Sequence, residues 1–354
     1  MKTLFVVTGI GLGHTIREEA IINEFKKNEV VIAGFNNSYD YFKNSYKCYK
    51  IFGHKFYGYK PKTSYLKIFF ENLIYPIYLL IDILLLCFII FKYKIDVVVV
   101  DAEPCGLFAG KLTGRKTVIV YNLDLKKLVN YRKSKLSFGL LLVEVIVRVS
   151  YWLADKVVIP MLDKNAKNYD NVSYVEPIIR IRPNKLGTKR ELMKKLGFKK
   201  EPILVTIGGS KFGVPLVSGI VKIAKDFDEE FIVLGLRMGG NENVRFYGFK
   251  KNFLEYLKVS KAVIGSFGHS TLSEIFVYDK AALVFPIKGY VEHHLNLVSL
   301  NDYIRVRDFN NVNEYRLRLM INALLRDSGN LERRMRKLNI RGNGAKEVAK
   351  LILE

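Results

Sequence analysis

Residues 5–20 read FVVTGIGLGHTIREEA. The run Leu4–Val7 is short, apolar and bounded by glycine, which predicts a buried strand. Gly9, Gly11 and Gly13 follow at alternate positions, where a backbone without Cβ turns tightly and lets another group approach closely. Ile16, Ala20, Ile21 and Phe25 then recur at helical spacing, so a helix over Thr15–Phe25 is expected. Strand, glycine loop and helix form the opening unit of a doubly wound α/β domain, in which ligands bind beyond the carboxyl ends of the strands.

The loop departs from two familiar phosphate binders. A dinucleotide fingerprint wants a third glycine where this chain has His14, and an acid after the next strand, where Val30–Phe35 leads into Asn36 and Asn37. A P-loop wants a lysine after its last glycine, and His14-Thr15 supplies none. What remains is an imidazole at a loop-to-helix junction. Such a group titrates near neutrality and suits a general base, or else it caps the helix or binds an anion there.

With 354 residues and 49% hydrophobic content, the chain is long enough for two domains with sizeable cores. Cys48, Cys87 and Cys105 are odd in number and lack metal spacing, which fits a reducing compartment and disfavours a disulfide framework or zinc site. Residues 1–10 lead straight into the strand and loop, so no cleavable leader is expected. The formal charge is +23, and both halves share it: residues 1–180 carry 26 Lys and Arg against 16 acids, and residues 181–354 carry 31 against 18. A field spread in this way favours phosphate-bearing substrates, an anionic membrane surface or nucleic acid, unless it reflects only a lysine-rich composition.

Further strands are expected at Val30–Phe35, Val97–Val100, Lys116–Val120 and Val157–Pro160. The segment EPIIRIRPNKLGTKR, residues 176–190, has two prolines, a glycine and several basic residues and reads as a linker. The pattern then restarts at Ile203–Ile207, Phe231–Leu234, Val244–Tyr247, Ala262–Ile264 and Ala281–Phe285. Helix-length stretches separate these strands, so each half is a parallel α/β unit and the simplest architecture has the two facing across a cleft. The expected division is 1–178, a linker over 179–190, 191–330, and closing helices over 331–354.

LIYPIYLLIDILLLCFIIF, residues 73–91, is nearly long enough to span a bilayer. Asp82 at its centre and Pro76 near its start argue against that, as does the separation of flanking strands that a single crossing would impose. The stretch before it, residues 41–70, holds seven lysines and no acid, interleaved with Tyr46, Tyr49, Phe56, Tyr57 and Tyr59. KKLVNYRKSK at 126–135 likewise precedes the apolar LSFGLLLVEVIVRV at 136–149. Basic and aromatic segments joined to apolar helices suit docking on the cytoplasmic face of an anionic membrane, or they are core helices with solvated lysines in front. Single-stranded nucleic acid ranks lower, because the neighbouring runs are too apolar for its groove.

The second half holds VIGSFGHSTLSEIFVYDKAALVFPIKGYVEHHLNL, residues 263–297. After the strand, Ser266, Gly268, Ser270 and Thr271 place hydroxyls and free N–H groups at a helix start, an arrangement that binds phosphate. Glu274 falls one turn later, where a carboxylate can accept two hydrogen bonds from a ribose diol. Gly208, Gly209 and Ser210 offer a second phosphate contact.

In four motifs taken in order, the chain resembles the GT-B glycosyltransferases. These motifs are GIGLGH at 9–14, TIGGS at 206–210, the GxxxxxE helix start at 268–274 and E-x-x-x-N at 292–296. The resemblance is greatest to the group that includes the peptidoglycan lipid-linked N-acetylglucosaminyltransferase, diacylglycerol glucosyltransferases and UDP-glucuronosyl/glucosyltransferases. It implies two Rossmann-like domains, the first binding acceptor and the second the nucleotide sugar. His14 would be the base and Asp101 the acid that orients it, and Gly11 and Gly13 of the loop would be among the residues that contact the nucleotide sugar. Gly208, Gly209, Ser210, Ser266, Gly268, His269, Ser270 and Thr271 would hold the diphosphate, Glu274 the ribose and the backbone near Phe249 the nucleobase. Glu292 and His293 would face the sugar, and Arg180 would make a basic nucleotide contact. Many relatives have histidine in place of Ser266 and glutamine in place of His293. No cofactor or metal is required. Asp101-Ala102-Glu103 could imitate a D-x-D metal motif, but its place at a strand end of the first half suits the histidine-orienting role. The activity implied is inverting transfer of a hexose or N-acetylhexosamine from a UDP-sugar, or another nucleotide diphosphate sugar, to a lipid or lipid-linked acceptor. A 2-epimerase of UDP-N-acetylglucosamine shares this fold and is the alternative enzyme; a non-catalytic membrane or nucleic-acid binder is the alternative from another class.

Overall fold

The computed structural model describes residues 1–54, 70, 72–134, 138–162, 166–207, 213–287, 291–297, 300–308 and 312–354. Among these, one compact unit holds the chain up to Arg180 together with Asn343–Glu354, and a second holds Ile181–Gly342.

The first unit is built on seven strands: β1 (Thr3–Val7), β2 (Val30–Gly34), β3 (Lys47–Lys50), β4 (Val97–Asp101), β5 (Lys116–Val120), β6 (Lys156–Pro160) and β7 (Val172–Val175). They lie in the order β3-β2-β1-β4-β5-β6-β7, every pair parallel. The second unit has β8 (Ile203–Thr206), β9 (Phe231–Leu234), β10 (Val244–Tyr247), β11 (Ala262–Gly265), β12 (Ala282–Val284) and β13 (Arg305–Val306). Their order is β10-β9-β8-β11-β12-β13, again parallel throughout. Strand order therefore reverses between β1 and β4 and between β8 and β11, and doubly wound sheets bind ligands at such reversals. Val7 pairs with Asp101, and Thr206 with Gly265, so the four strand ends that flank the reversals carry the predicted motifs.

The interior strands β1, β4, β8 and β11 are buried at every residue, which is why they read as nearly unbroken apolar runs. The sequence reading finds all of these and misses β3, β7 and β13, each at a sheet edge. An edge strand such as Lys47–Lys50 is exposed at both ends and keeps polar residues there, so no apolar run marks it.

The apolar helix Tyr75–Tyr93 is long and apolar enough to cross a membrane. Here it precedes β4, and Ile83, Leu86, Ile89 and Ile90 bury one of its faces. Asp82 is buried on that face and accepts the backbone N–H groups of Phe52 (2.9 Å) and Gly53 (3.0 Å). Its strands before and after belong to one sheet, as the objection to a single crossing required.

The carboxyl-terminal region differs from the expected closing helices over 331–354. One helix runs Glu314–Leu338 within the second unit, and the last, Gly344–Leu353, belongs to the first. Ala345, Val348 and Ile352 of that last helix complete the core formed by Ile21, Ile22, Val175 and Ile178, and this apolar face explains its return. The expected linker also contains structure: Thr188 caps the helix Lys189–Leu196 with a capping box to Glu191.

Candidate active site

In the first unit, β1 ends at Val7 and a loop leads to the helix Gly13–Ile22. The loop needs its glycines for separate reasons. A Cβ on Gly9 would stand 1.7 Å from the Phe35 carbonyl oxygen, and Gly11 has φ +74°. The helix starts two residues earlier than its apolar pattern suggests, which puts His14 in its first turn. Thr8 N–H donates to the Asp101 carbonyl (3.2 Å), tying the loop to the end of β4.

His14 and Asp101 meet across this tie. His14 Nδ1 is 2.8 Å from Asp101 Oδ1, and Arg17 Nη2 donates to the same oxygen at 2.5 Å. The Arg17 Nη1 group donates to Asn122 Oδ1 at 2.9 Å. Arg17 Nη2 and His14 Nδ1 are also 3.1 Å apart, so Nδ1 lies between a cation and a carboxylate. Burial alone would raise the Asp101 pKa, but Arg17 and His14 reverse this and hold it below the usual carboxylate range. An ionised Asp101 makes Nδ1–H the favoured tautomer, which leaves the Nε2 lone pair for another partner. The His14 side chain retains 19% of its exposure, whereas Asp101 has none.

A second pair hangs from the same strand end. Ala102, between Asp101 and Glu103, has φ +53°, a left-handed conformation uncommon for alanine. Glu103 is buried and 3.0 Å from His54 Nδ1, and Tyr75 Oη donates to it at 3.5 Å. Burial opposes charge on His54, yet the Glu103 carboxylate outweighs it and the His54 pKa is raised. The D-x-D resemblance of 101–103 thus resolves into two carboxylates, each with its own histidine. Sequence reading missed Arg17, Glu18, Asn122 and His54. Two adjacent charges at the third and fourth positions after His14, on a helix face otherwise apolar, were the available signal for Arg17 and Glu18; Asn122 and His54 had none.

In the second unit, β11 ends at Gly265 and Gly268 is the N-cap of the helix His269–Val277. Gly268 has no side chain and so caps no N–H group of this helix start. The Ser266 hydroxyl is buried and has no hydrogen-bond partner among the described residues. Ser270 and Thr271 are half-buried in the first turn, and Glu274 is buried one turn on. His269 is buried with Nδ1 3.4 Å from the Ser273 hydroxyl. Phe249, half exposed, follows β10.

Glu292 and His293 lie in the helix Val291–Leu297. His293 is buried and its Nδ1 accepts the Ile287 N–H at 3.2 Å; burial lowers its pKa to about 4. Asn296, one turn after Glu292, has a buried side-chain N–H group without a partner among the described residues. Gly208, Gly209 and Ser210 lie outside the described residues. Arg180 belongs to the first unit, where its charge bears on Tyr41.

The model of glycosyl transferase family 1 matches residues 1–324. An uncharacterised glycosyltransferase of Methanopyrus kandleri is 28% identical over 227 residues, 59% of this chain and 61% of that protein. The chain thus spans about three fifths of that relative's length. A glycosyltransferase of Methanosarcina acetivorans, also uncharacterised, is 23% identical over 335 residues, 85% of this chain and 82% of its own. Among solved structures, Acinetobacter baumannii MurG superposes with a TM-score of 0.66 at 14% identity, covering 100% of this chain and 99% of that one. Phytolacca americana UGT2, complexed with UDP-2-fluoro-glucose and pterostilbene, gives 0.66 at 12% identity and 100% of both chains. These likenesses establish the fold as GT-B, two Rossmann-like units.

Proposed function

The chain belongs to glycosyl transferase family 1, and from that premise we propose that it moves a hexose or N-acetylhexosamine from a nucleotide diphosphate sugar to a lipid or lipid-linked hydroxyl, with inversion. The observation that carries this reading is His14, whose Nδ1 is tied to a buried carboxylate while Nε2 has no partner among the described residues. The acceptor oxygen bonds to the anomeric carbon as the carbon–oxygen bond to the diphosphate breaks, its electron pair leaving with the diphosphate. The acceptor proton passes to His14 Nε2, and Asp101 stabilises the imidazolium. In the second unit the helix start at 268–271 and the unpaired Ser266 hydroxyl meet the charge that builds on the departing diphosphate. Glu274 accepts from the ribose, and the segment at Phe249 holds the base. Uridine diphosphate is the preferred carrier in this reading; the resemblance to enzymes that use it and the UDP-sugar bound to one structural neighbour support that choice.

The lipid side rests on two exposed apolar stripes in the first unit. Ile77, Leu80, Leu84, Phe88 and Phe91 lie exposed along the helix Tyr75–Tyr93. Leu141, Val145, Val149 and Trp152 do so along Phe138–Leu153. Both helices pack on the helix Pro104–Leu112. Lys92 and Lys94 end the first, and Lys126, Lys127, Arg132 and Lys133 lie on the helix before the second. Apolar stripes beside basic groups favour an anionic bilayer surface, on its cytoplasmic face.

Release of nucleoside diphosphate from a panel of nucleotide sugars, with and without polar lipid extract, tests the proposal. Release that needs one sugar and the lipids together supports it. Isomerisation of the donor without lipid would replace it with the epimerase, and binding of vesicles without consumption of any donor would replace it with a binding protein.

A further inference from the structure

Asp101 has two carboxylate oxygens, and the contacts described above occupy one. Oδ1 receives both Arg17 and His14, whereas Oδ2 is buried with no hydrogen-bond donor among the described residues. Glu18, next to Arg17 on the same helix, is fully buried, and among the described residues neither of its oxygens has a donor. An ionised carboxylate is not left in that state, because nothing replaces the water it has lost. Glu18 nonetheless lies within side-chain hydrogen-bonding reach of Asp101. A single proton between the two carboxylates gives Asp101 Oδ2 the donor it lacks and removes the charge from Glu18, whose other oxygen is then a neutral carbonyl.

We propose that Glu18 is a protonated carboxylic acid that donates its hydrogen to Asp101 Oδ2, which makes it a positioning residue for the His14–Asp101 pair. The charges agree with this. Arg17 and Asp101 cancel, so a neutral Glu18 leaves the buried cluster neutral, whereas an ionised one would bury an uncompensated negative charge. Burial and the adjacent Asp101 both push the Glu18 proton affinity up, and Arg17 opposes them without prevailing. The proton serves the chemistry in two ways. It fixes the plane of the Asp101 carboxylate so that Oδ1 faces Nδ1, and it draws charge away from the oxygen that holds the imidazole. This second role rests on His14 acting as the base; the location of the proton does not.

Infrared difference spectra of the full chain and Glu18→Gln at pH 7 test the location. A carboxylic-acid carbonyl band that is lost in the variant is expected, and its absence from the difference would overturn the proposal. The acid limb of the rate profile tests the role. Glu18→Gln, a neutral donor, keeps its midpoint, and Glu18→Leu, which leaves Oδ2 unpaired, moves it up by about one pH unit, roughly tenfold in proton concentration. Equal displacement in both variants would overturn the positioning role. Should Glu18→Leu fail to fold, the spectrum and the Glu18→Gln limb still decide. A chain that transfers no sugar would defeat the functional reading while the infrared result stands by itself.

Discussion

Two helices in this chain open with Gly-His after a strand that flanks a reversal of sheet order. Residues 13–18 read GHTIRE and residues 268–274 read GHSTLSE. In the first, the following turn brings Arg17 and Glu18, both buried and both gathered on Asp101. In the second, the same turn brings Leu272 and Ser273, and His269 is buried beside the Ser273 hydroxyl. The histidine after the glycine loop therefore does not by itself make a base. A carboxylate on the adjacent strand, with a cation to keep it ionised, is what distinguishes the first unit and supports the base proposed there; the second has hydroxyls at its helix start, which suit the leaving anion of the same proposal.

The largest expected effect comes from removing the carboxylate. Asp101→Ala leaves the Arg17 guanidinium buried without its counter-charge and should cost about 3–5 kcal/mol in denaturant unfolding. Ser273→Ala, which removes the hydroxyl beside His269 in the second junction, should cost about 1 kcal/mol. Equal losses would break the contrast.

Acid should separate the two units next. Burial depresses the His293 pKa from the usual 6.5 to about 4, so its contribution is whole above pH 6.5 and is lost as pH falls towards 4, by about 3 kcal/mol at most. The Asp101 pKa lies below the ordinary carboxylate value, so its contribution persists until lower pH. Thermal unfolding followed from pH 7 to 4 should show the second unit weakening first, and His293→Gln should remove that dependence. Loss of the first unit at higher pH than the second would reverse the assignment.

A smaller effect is expected at Glu274. Glu274→Ala should weaken uridine diphosphate binding by about 2 kcal/mol, roughly 30-fold, without altering the first junction. The least is expected at Asp279, just beyond the helix that His269 opens. Its φ is +51°, and burial raises its pKa to about 6. The neutral form is favoured in the fold, so the cost appears as pH rises from about 4 through 6. Asn suits the same backbone conformation, and Asp279→Asn should gain about 1 kcal/mol at pH 7, after allowance for solvent screening, and nothing below pH 4. A gain that persists at pH 3 would assign the effect to the backbone alone.

The contrast also shows what the sequence makes legible. Interior parallel strands such as Val97–Asp101 are buried on both faces, and their apolar runs are visible without a structure. The three missed strands lie at edges, where solvent permits residues such as Lys47 and Arg305. His14 was legible because a glycine loop announces it, and Asp101 because it ends a strand. Arg17 and Glu18 left only a weak signal, two charges on an otherwise apolar helix face, because charges on a helix ordinarily face water and it takes the neighbouring strand to show that these do not. His54 and Glu103 are 49 residues apart, and a contact at that separation leaves no local pattern.

The division of labour between the two junctions is tested most directly by His14→Ala, with turnover of the donor and binding of uridine diphosphate measured on one preparation. Turnover should fall by about 10²- to 10⁴-fold and nucleotide binding should be unchanged. Unchanged turnover, or a loss of nucleotide binding in proportion to the loss of turnover, would contradict that division.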